Sequence, residues 1–435
     1  MTNPGIKKSK MKTATKILAF LIWVCAVMFA VPVLAKPVIS LEDCLAVAEA
    51  NHPGLAGAEG QVAAQRGRLA QSAASDRPEV SGSVSSRRTG SAGAESANYS
   101  AGVTASMRVF DANRSKYALD SQRNTLFATK EELRATLRDV RANVKTAYMT
   151  LLLDMEIVDH RLESVRAFEK YLEQAEAFYE AGIRPWYNVT KAEVDLGKAQ
   201  LSLVEAESNV EMARVTLFNA MGVDRPEEEF DLAPIGFEIP ETLRGTGKAR
   251  EAEWLTEALE NRSDYRASEF RVLAGKATVK TESRSSSPSV SVSAGLGAGG
   301  RDVFDMGSEW NVGLGISIPI VDGGATKGRV DAAMGQLTST EASREKLRQD
   351  IALEVRKTLA EIAKARERIR ISELNVSSAG ENRKIAIGRY ETGAGDPFEV
   401  TDALLSFTEA QLESRRAKYD MQLALVALEK AVGKD

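Results

Sequence analysis

From Asp111 to Ala181 the chain contains neither glycine nor proline. Apolar residues fall at Leu133, Leu137, Val140, Val144, Ala147 and Leu151, skip a beat, and resume at Met155, Val158, Leu162 and Val165. Steps of four and three are the spacing of a coiled coil, with a stutter near 151–155. About 70 residues at 1.5 Å each predict a rod of roughly 100 Å, longer than any single globular core. The pattern returns over 325–391, again without proline but loosened by Gly328, Gly335, Gly380 and Gly388. Each rod ends in a glycine-containing turn and comes back as a shorter helix, 186–221 and 398–432, each about 55 Å long. Residues 53–75 and 263–284 predict further short helices. Stacked end to end with the returns, they would nearly match the long rods.

Between short and long helices the period changes to two, which predicts strands. "PEVSGSVSS" (78–86) alternates Val80, Gly82 and Val84 with serines. "YSAGVTASMRVF" (99–110) puts Ala101, Val103, Ala105, Met107 and Val109 on one face. "PSVSVSAGLG" (288–297) groups Val290, Val292, Ala294 and Leu296. "WNVGLGISIPIV" (310–321) groups Val312, Leu314, Ile316, Ile318 and Ile320 against Asn311, Gly313, Gly315 and Ser317. Segments near ten residues with small or polar alternates are the signature of transmembrane β-strands. The same pattern also fits a soluble two-hairpin sheet with one wet face. Four strands cannot close a barrel, and an open edge in lipid leaves backbone groups unpaired. If the strands lie in a membrane, several chains must share one barrel and bundle their rods beside it.

The chain is written twice. "YEAGIRPWYNVT" (179–190) and "YETGAGDPFEVT" (390–401) lie 211 positions apart, and at that offset 179–222 matches 390–433 at 15 of 44 positions. "SMRVFD" (106–111) faces "SIPIVD" (317–322), and with a slip of one, "AEANHPGL" (48–55) faces "ALENRSDY" (258–265). The reading is a duplicated unit: a first repeat over 36–222, a linker over 223–250, and a second repeat over 251–435. The linker is acidic, holds three prolines and is not periodic. It is expected to wrap outside the helices and carries no evident chemistry.

Five lysines from Lys7 to Lys16 precede an unbroken apolar run, Ile17 to Ala35. That predicts a secretory leader, residues 1–35, cleaved after Ala35, with an uncleaved anchor as the rival. Losing five lysines takes the net charge from −4 to −9. An acidic chain without a basic patch is no nucleic-acid binder. Only Cys44 survives cleavage, so no intrachain disulfide forms. An exported chain without disulfides or spanning helices points to a bacterial envelope.

Chemistry is hard to place. His160 sits inside a heptad rod and reads as a solvated face; His52 sits at a helix break before Pro53. Neither neighbours a set of metal-spaced ligands. "GLGAGG" (295–300) spells a dinucleotide motif, but a strand rather than a helix follows, so it reads as a strand end and a glycine loop. "GKAT" (275–278) lacks the upstream glycine of a phosphate loop. No enzyme activity, cofactor or metal is expected. A periplasmic coiled-coil spacer or adaptor subunit without a pore is the better rival.

The duplication, the "AEANHPGL"/"ALENRSDY" openings, the Val-Phe-Asp and Ile-Val-Asp ends of the strand pairs, and "YEAG…NVT"/"YETG…EVTDA" at the helix tips, in this order, resemble the TolC-like outer-membrane efflux proteins over essentially the whole mature chain. The resemblance implies a mainly α fold with β: long coiled-coil hairpins forming an α-barrel, plus four transmembrane strands per chain. Three chains would give a 12-stranded barrel in the outer membrane of a Gram-negative bacterium, continued by the α-barrel across the periplasm. It further implies passive export as the outer component of a tripartite efflux pump or type I secretion system. The partners would be a periplasmic adaptor and an inner-membrane transporter of the RND or ABC class. The docking tips would be Gly182, Ile183, Arg184, Pro185 and Trp186, with Gly393 and Gly395. Trp186 there is either packed on its own hairpin or presented to a partner. Glu399 and Asp402 fall on acidic positions that line the aperture in some members. Asp396, Pro397 and Glu399 also read as a helix start, with Asp396 as N-cap and Glu399 closing a capping box. An Arg–Asp link that helps shut some family pores is missing, its positions here being Gly395 and Asn188. The cargo is not given.

Overall fold

The computed structural model describes residues 38–91, 94–224, 230–236, 248–302 and 304–434. The leader, its cleavage site and most of the linker lie outside them. The described chain forms two units. The smaller is a two-stranded parallel pair, β1 (Val38–Ile39) with β4 (Asp231–Leu232), which no sequence pattern announces.

The larger unit holds α1 (Leu41–Asn51), α2 (Pro53–Ala74), β2 (Glu79–Ser91), β3 (Ala94–Phe110), α3 (Arg114–Glu180) and α4 (Tyr187–Met221). The second repeat supplies α5 (Lys248–Asn261), α6 (Ser263–Ser283), β5 (Ser289–Asp302), β6 (Asp305–Ser317), α7 (Ala325–Glu391) and α8 (Pro397–Val432). Helices α1 and α5 were not expected; α5 begins inside the stretch read as linker. The strands run further toward their hairpins than the alternation suggests, because the backbone ladder outlasts the side-chain pattern. β6 stops at Ser317 rather than 321, just ahead of Pro319, which has no N–H to give a ladder.

Both rods are 67 residues long and begin with the same device. Asp111 Oδ2 accepts from Ser115 N at 2.8 Å, and Asp322 Oδ2 accepts from Thr326 N at 2.8 Å. The two residues after each aspartate turn left-handed: Ala112 and Asn113 in one repeat, Gly323 and Gly324 in the other. The Val-Phe-Asp and Ile-Val-Asp motifs are therefore strand end and helix cap in one.

The short helices stack on the returns. A Cβ on Gly222, the left-handed cap of α4, would stand 2.7 Å from His52 Cα, where α2 begins. A Cβ on Gly433, the cap of α8, would stand 3.0 Å from Arg262 N, where α6 begins. His52 is a helix cap, its Nδ1 accepting from Gly54 N at 3.1 Å. Arg262 is buried and ties four elements. It donates to Asp264, to Glu354 Oε2 at 2.6 Å on α7 and to the Ala431 carbonyl at 3.2 Å on α8, and Asp264 lies 3.7 Å from Arg138 on α3.

On α3 the seam of Val140, Val144, Ala147 and Leu151 is buried, as the heptads require. Beyond the stutter it is carried by Val165, Phe168, Tyr171 and Ala175, while Leu162 is exposed, contrary to the heptad reading. A stutter rotates the seam, so the register read before it does not continue after it. His160 is not a solvated residue: its side chain is largely buried beside Glu163, 3.5 Å away.

The four long strands form one antiparallel sheet in the order β2-β3-β5-β6. "GLGAGG" lies wholly within β5 rather than at a strand end and loop. A Cβ on Gly297 would stand 2.9 Å from the Ala101 carbonyl, so these glycines permit close strand approach.

Candidate functional site

The register sorts the sheet into two faces. Gly82, Val103, Leu296 and Trp310 follow one another across the strands, as do Val80, Ala105, Ala294 and Val312. On the other face run Ser81, Thr104, Gly295 and Asn311. The apolar face is uncovered: Val84 is 87% exposed and Trp310 77%. Such a face matches a hydrocarbon surroundings and not water. The polar face carries hydroxyls and glycine, with Ser85 and Ser100 bonded at 2.8 Å. No helix among the described residues is long and apolar enough to cross a membrane.

The expected functional residues gather at the two helical tips. α3 closes with Gly182 left-handed, and Ile183 N and Arg184 N both donate to the Phe178 carbonyl, at 2.9 and 3.2 Å. Pro185 follows, and Asn188 N bonds its carbonyl at 3.0 Å to open α4. α7 closes with Gly393 left-handed, and Gly395 N donates to the Arg389 carbonyl at 2.8 Å. A Cβ on Gly395 would stand 2.7 Å from Tyr390 N, so the loop needs glycine there. Asp396 Oδ1 then caps α8 by accepting from Phe398 N at 2.9 Å, with Pro397 in the first helical position.

The tips are joined beneath by a buried cluster that includes Phe168, Tyr171, Ala175, Val189, Tyr390 and Val400. Tyr390 is 0% exposed, its ring 5.2 Å from Phe178 and 5.7 Å from Tyr171. Tyr171 donates to the Pro397 carbonyl at 3.2 Å, and burial pushes its phenol up to about 12. One turn further in, the buried carboxylate of Asp195 binds Lys191 and accepts from Thr401 at 3.2 Å, linking α4 to α8. At the very end, Arg184 Nη2 donates to the carbonyls of Gly395 at 2.7 Å and Gly393 at 3.2 Å. Its guanidinium lies 5.7 Å from the Tyr390 ring.

The capping box is not formed as expected. The Glu399 carboxylate faces Arg389 Nη1 at 3.5 Å, across the tip, instead of turning back to the Asp396 amide. Asp402 is exposed, and among the described residues nothing pairs with it. Trp186 is 51% exposed and packs edge-on against Tyr179 at 5.0 Å, so it is at once packed and presented. Ile183, Tyr187 and Phe398 extend this exposed apolar edge, with Tyr187 and Phe398 6.4 Å apart. Sequence reasoning missed the reach of Arg184 across the tips, and missed Tyr171 and Asp195 altogether. An aspartate on the inward side of a return helix was the one available signal for the last. Among the described residues no group of three or more His, Cys, Asp or Glu is placed to hold a metal ion.

The family model for outer membrane efflux proteins matches residues 45–223 and 254–434. The chain belongs to that family. The match falls once on each repeat. Among curated relatives, the outer membrane efflux protein BepC of Brucella suis is 22% identical over 91% of this chain and 85% of its own length. The protein CyaE of Bordetella pertussis is 25% identical over 75% and 68%. Among solved structures, CusC superposes with a TM-score of 0.82 at 19% identity over 94% of this chain and 96% of its own. VceC of Vibrio cholerae gives 0.79 at 18% identity over 91% and 96%. This efflux protein is thus an outer-membrane protein of the TolC-like fold. Its family is one of outer-membrane efflux proteins. Neither the lipid-suited sheet nor the family supports a pore-less spacer.

Proposed function

We propose that three copies of this efflux protein close one 12-stranded barrel, and that their hairpins form a periplasmic α-barrel whose tips make a gated aperture. Cargo passes passively. A periplasmic adaptor docks on the tips, and through it an inner-membrane transporter of the RND or ABC class supplies the drive.

The observation that carries this reading is the sheet: four strands, one apolar face, and two edges, β2 and β6, that pair with nothing among the described residues. In lipid both edges must pair, and the one partner always at hand is β2 or β6 of another copy. The helices support it. α4 bears an exposed apolar stripe of Val194, Leu201, Val204, Met212 and Val215, and α7 bears Leu353, Ile371, Leu374 and Ile385. Two different stripes on one chain suit the head-to-tail contact of a closed ring. The polar faces of the strands would then line the barrel with Ser81, Thr104, Gly295 and Asn311, small and uncharged. Glu399 and Asp402 would ring the aperture, and Ile183, Trp186 and Tyr187 would meet the adaptor.

The test is planar-bilayer recording with the purified protein. Discrete conductance steps are expected, with cations preferred. A protein that inserts and passes no current, at any voltage and with the tips cut away, contradicts the channel.

A further inference from the structure

The two edge strands of the sheet are equally long: β2 and β6 have 13 residues each and run in opposite directions. Hydroxyl bonds to β3 mark the polar face of β2, Ser85 to Ser100 at 2.8 Å and Thr89 to Ser96 at 3.3 Å. Arg87 lies between them on that face and is exposed. On β6, Glu309 shares the polar face with Asn311 and leans over β5, where a Cβ on Gly299 would stand 3.5 Å from its Oε1. Neither Arg87 nor Glu309 has a hydrogen bond or ion pair among the described residues. One edge thus carries an unpaired cation and the other an unpaired anion, both on the face turned from lipid.

Side chains alternate along a strand, so only every second register between β6 of one copy and β2 of the next keeps both apolar faces in lipid. Laying the strands flush, with Glu79 opposite Ser317, is one of these. It sets Val80 against Ile316 and Val84 against Val312 outside, and Ser81 against Gly315 and Ser85 against Asn311 inside. In that register Arg87 stands directly opposite Glu309. The row of paired residues Glu79, Ser106, Ser293 and Gly313 supports it, reaching β6 four residues short of Ser317. Crossing flush, the row enters the next β2 at Ser83, again four residues along. Four residues of rise across four strands tilt the strands by roughly 35°, a usual value for membrane barrels. A slip of two residues would leave Arg87 and Glu309 diagonal, within reach of long side chains.

We propose that Arg87 of one copy and Glu309 of the next form an ion pair across the seam of the shared barrel, on its inner wall. The inference rests on the shared-barrel reading above and adds the contact that closes it.

The experiment is crosslinking of the purified full-length protein in detergent, in a Cys44→Ala background, with a short linker that joins two thiols. Arg87→Cys with Glu309→Cys should give a ladder of two and three linked chains on denaturing gels. Ser81→Cys with Glu309→Cys, about 20 Å out of register, should stay as single chains. In parallel, Arg87→Glu sets like charges against each other and should lower the detergent-resistant oligomer about 2- to 5-fold, and Arg87→Glu with Glu309→Arg should recover it. If the charge variants do not fold, the crosslink decides alone. Particle mass by light scattering separates the two readings. A particle of several chains without the 87–309 crosslink, or a charge swap that recovers nothing, would overturn the pair and leave the shared barrel standing. A particle of one chain would remove the shared barrel, and the pair with it.

Discussion

Arg184 and Gly395 occupy the same position in the two repeats, 211 residues apart, and are bonded to each other: Arg184 Nη2 donates to the Gly395 carbonyl at 2.7 Å. Duplication supplied two copies of one turn, and divergence made one copy a donor and the other an acceptor. The neighbouring pair diverged likewise. Tyr179 is 45% exposed beside Trp186, while its equivalent Tyr390 is wholly buried.

Gly395→Ala should loosen the tip from the acceptor side. The new methyl would stand 2.7 Å from Tyr390 N and 2.9 Å from the Arg389 carbonyl carbon, and must push the loop off α7. Overpacking of this kind costs about 1–3 kcal/mol. Limited trypsin digestion at Arg389 should become several-fold faster with the oligomer intact. Cleavage at the wild-type rate would show that the loop accommodates a side chain.

Asp402→Asn should reduce cation selectivity more than Glu399→Gln. Arg389 stands 3.5 Å from Glu399 and offsets its charge, whereas Asp402 has no such partner among the described residues. A ring of uncompensated carboxylates attracts cations and binds multivalent ones. Reversal potentials in a salt gradient, and block by a trivalent ion, measure the effect. Unchanged selectivity and block in the double variant would place both residues away from the aperture.

Trp186→Ala should abolish crosslinking to the adaptor while the oligomer holds. The indole spends one edge on Tyr179 and presents the rest to solvent. Exposed tryptophan is a common anchor at protein interfaces. Loss of the oligomer with the side chain would assign Trp186 to packing instead.

The tips should weaken in alkali through Tyr171. Burial raises its phenol from 10.0 to about 12, so the folded state favours the neutral form. Stability from this group is complete below pH 10 and is lost as pH rises toward 12. The urea midpoint of wild type minus that of Tyr171→Phe, followed from pH 8 to 12, should fall across that window. A flat difference contradicts the assignment.

The rods, the strand faces and the duplication were legible because each is periodic. The first 67-residue helix follows from a long stretch free of glycine and proline with heptads, the second from a proline-free copy of that stretch loosened by four glycines, and the sheet faces follow from strict alternation at Val103, Thr104 and Ala105. What the pattern could not give is register across the stutter, which exposes Leu162. Nor could it say which of two equal tyrosines lies inside, since Tyr179 and Tyr390 sit in nearly identical words. The short pairing of Val38 with Asp231 is backbone bonding between segments far apart in sequence. Of the site, the glycines and the Asp396 cap were readable from local turn chemistry. The reach of Arg184 and the turning of Glu399 toward Arg389 were not, because both cross between elements.

Four strands whose outer edges, β2 and β6, are unpaired among the described residues cannot stand alone in lipid, so several chains must share one barrel. The mass of protein in the detergent particle, by light scattering with the detergent contribution subtracted, measures this directly. Three chains per particle are expected, unchanged on dilution. A monodisperse particle of one chain that keeps its full β signal in circular dichroism would show that the strands need no second copy.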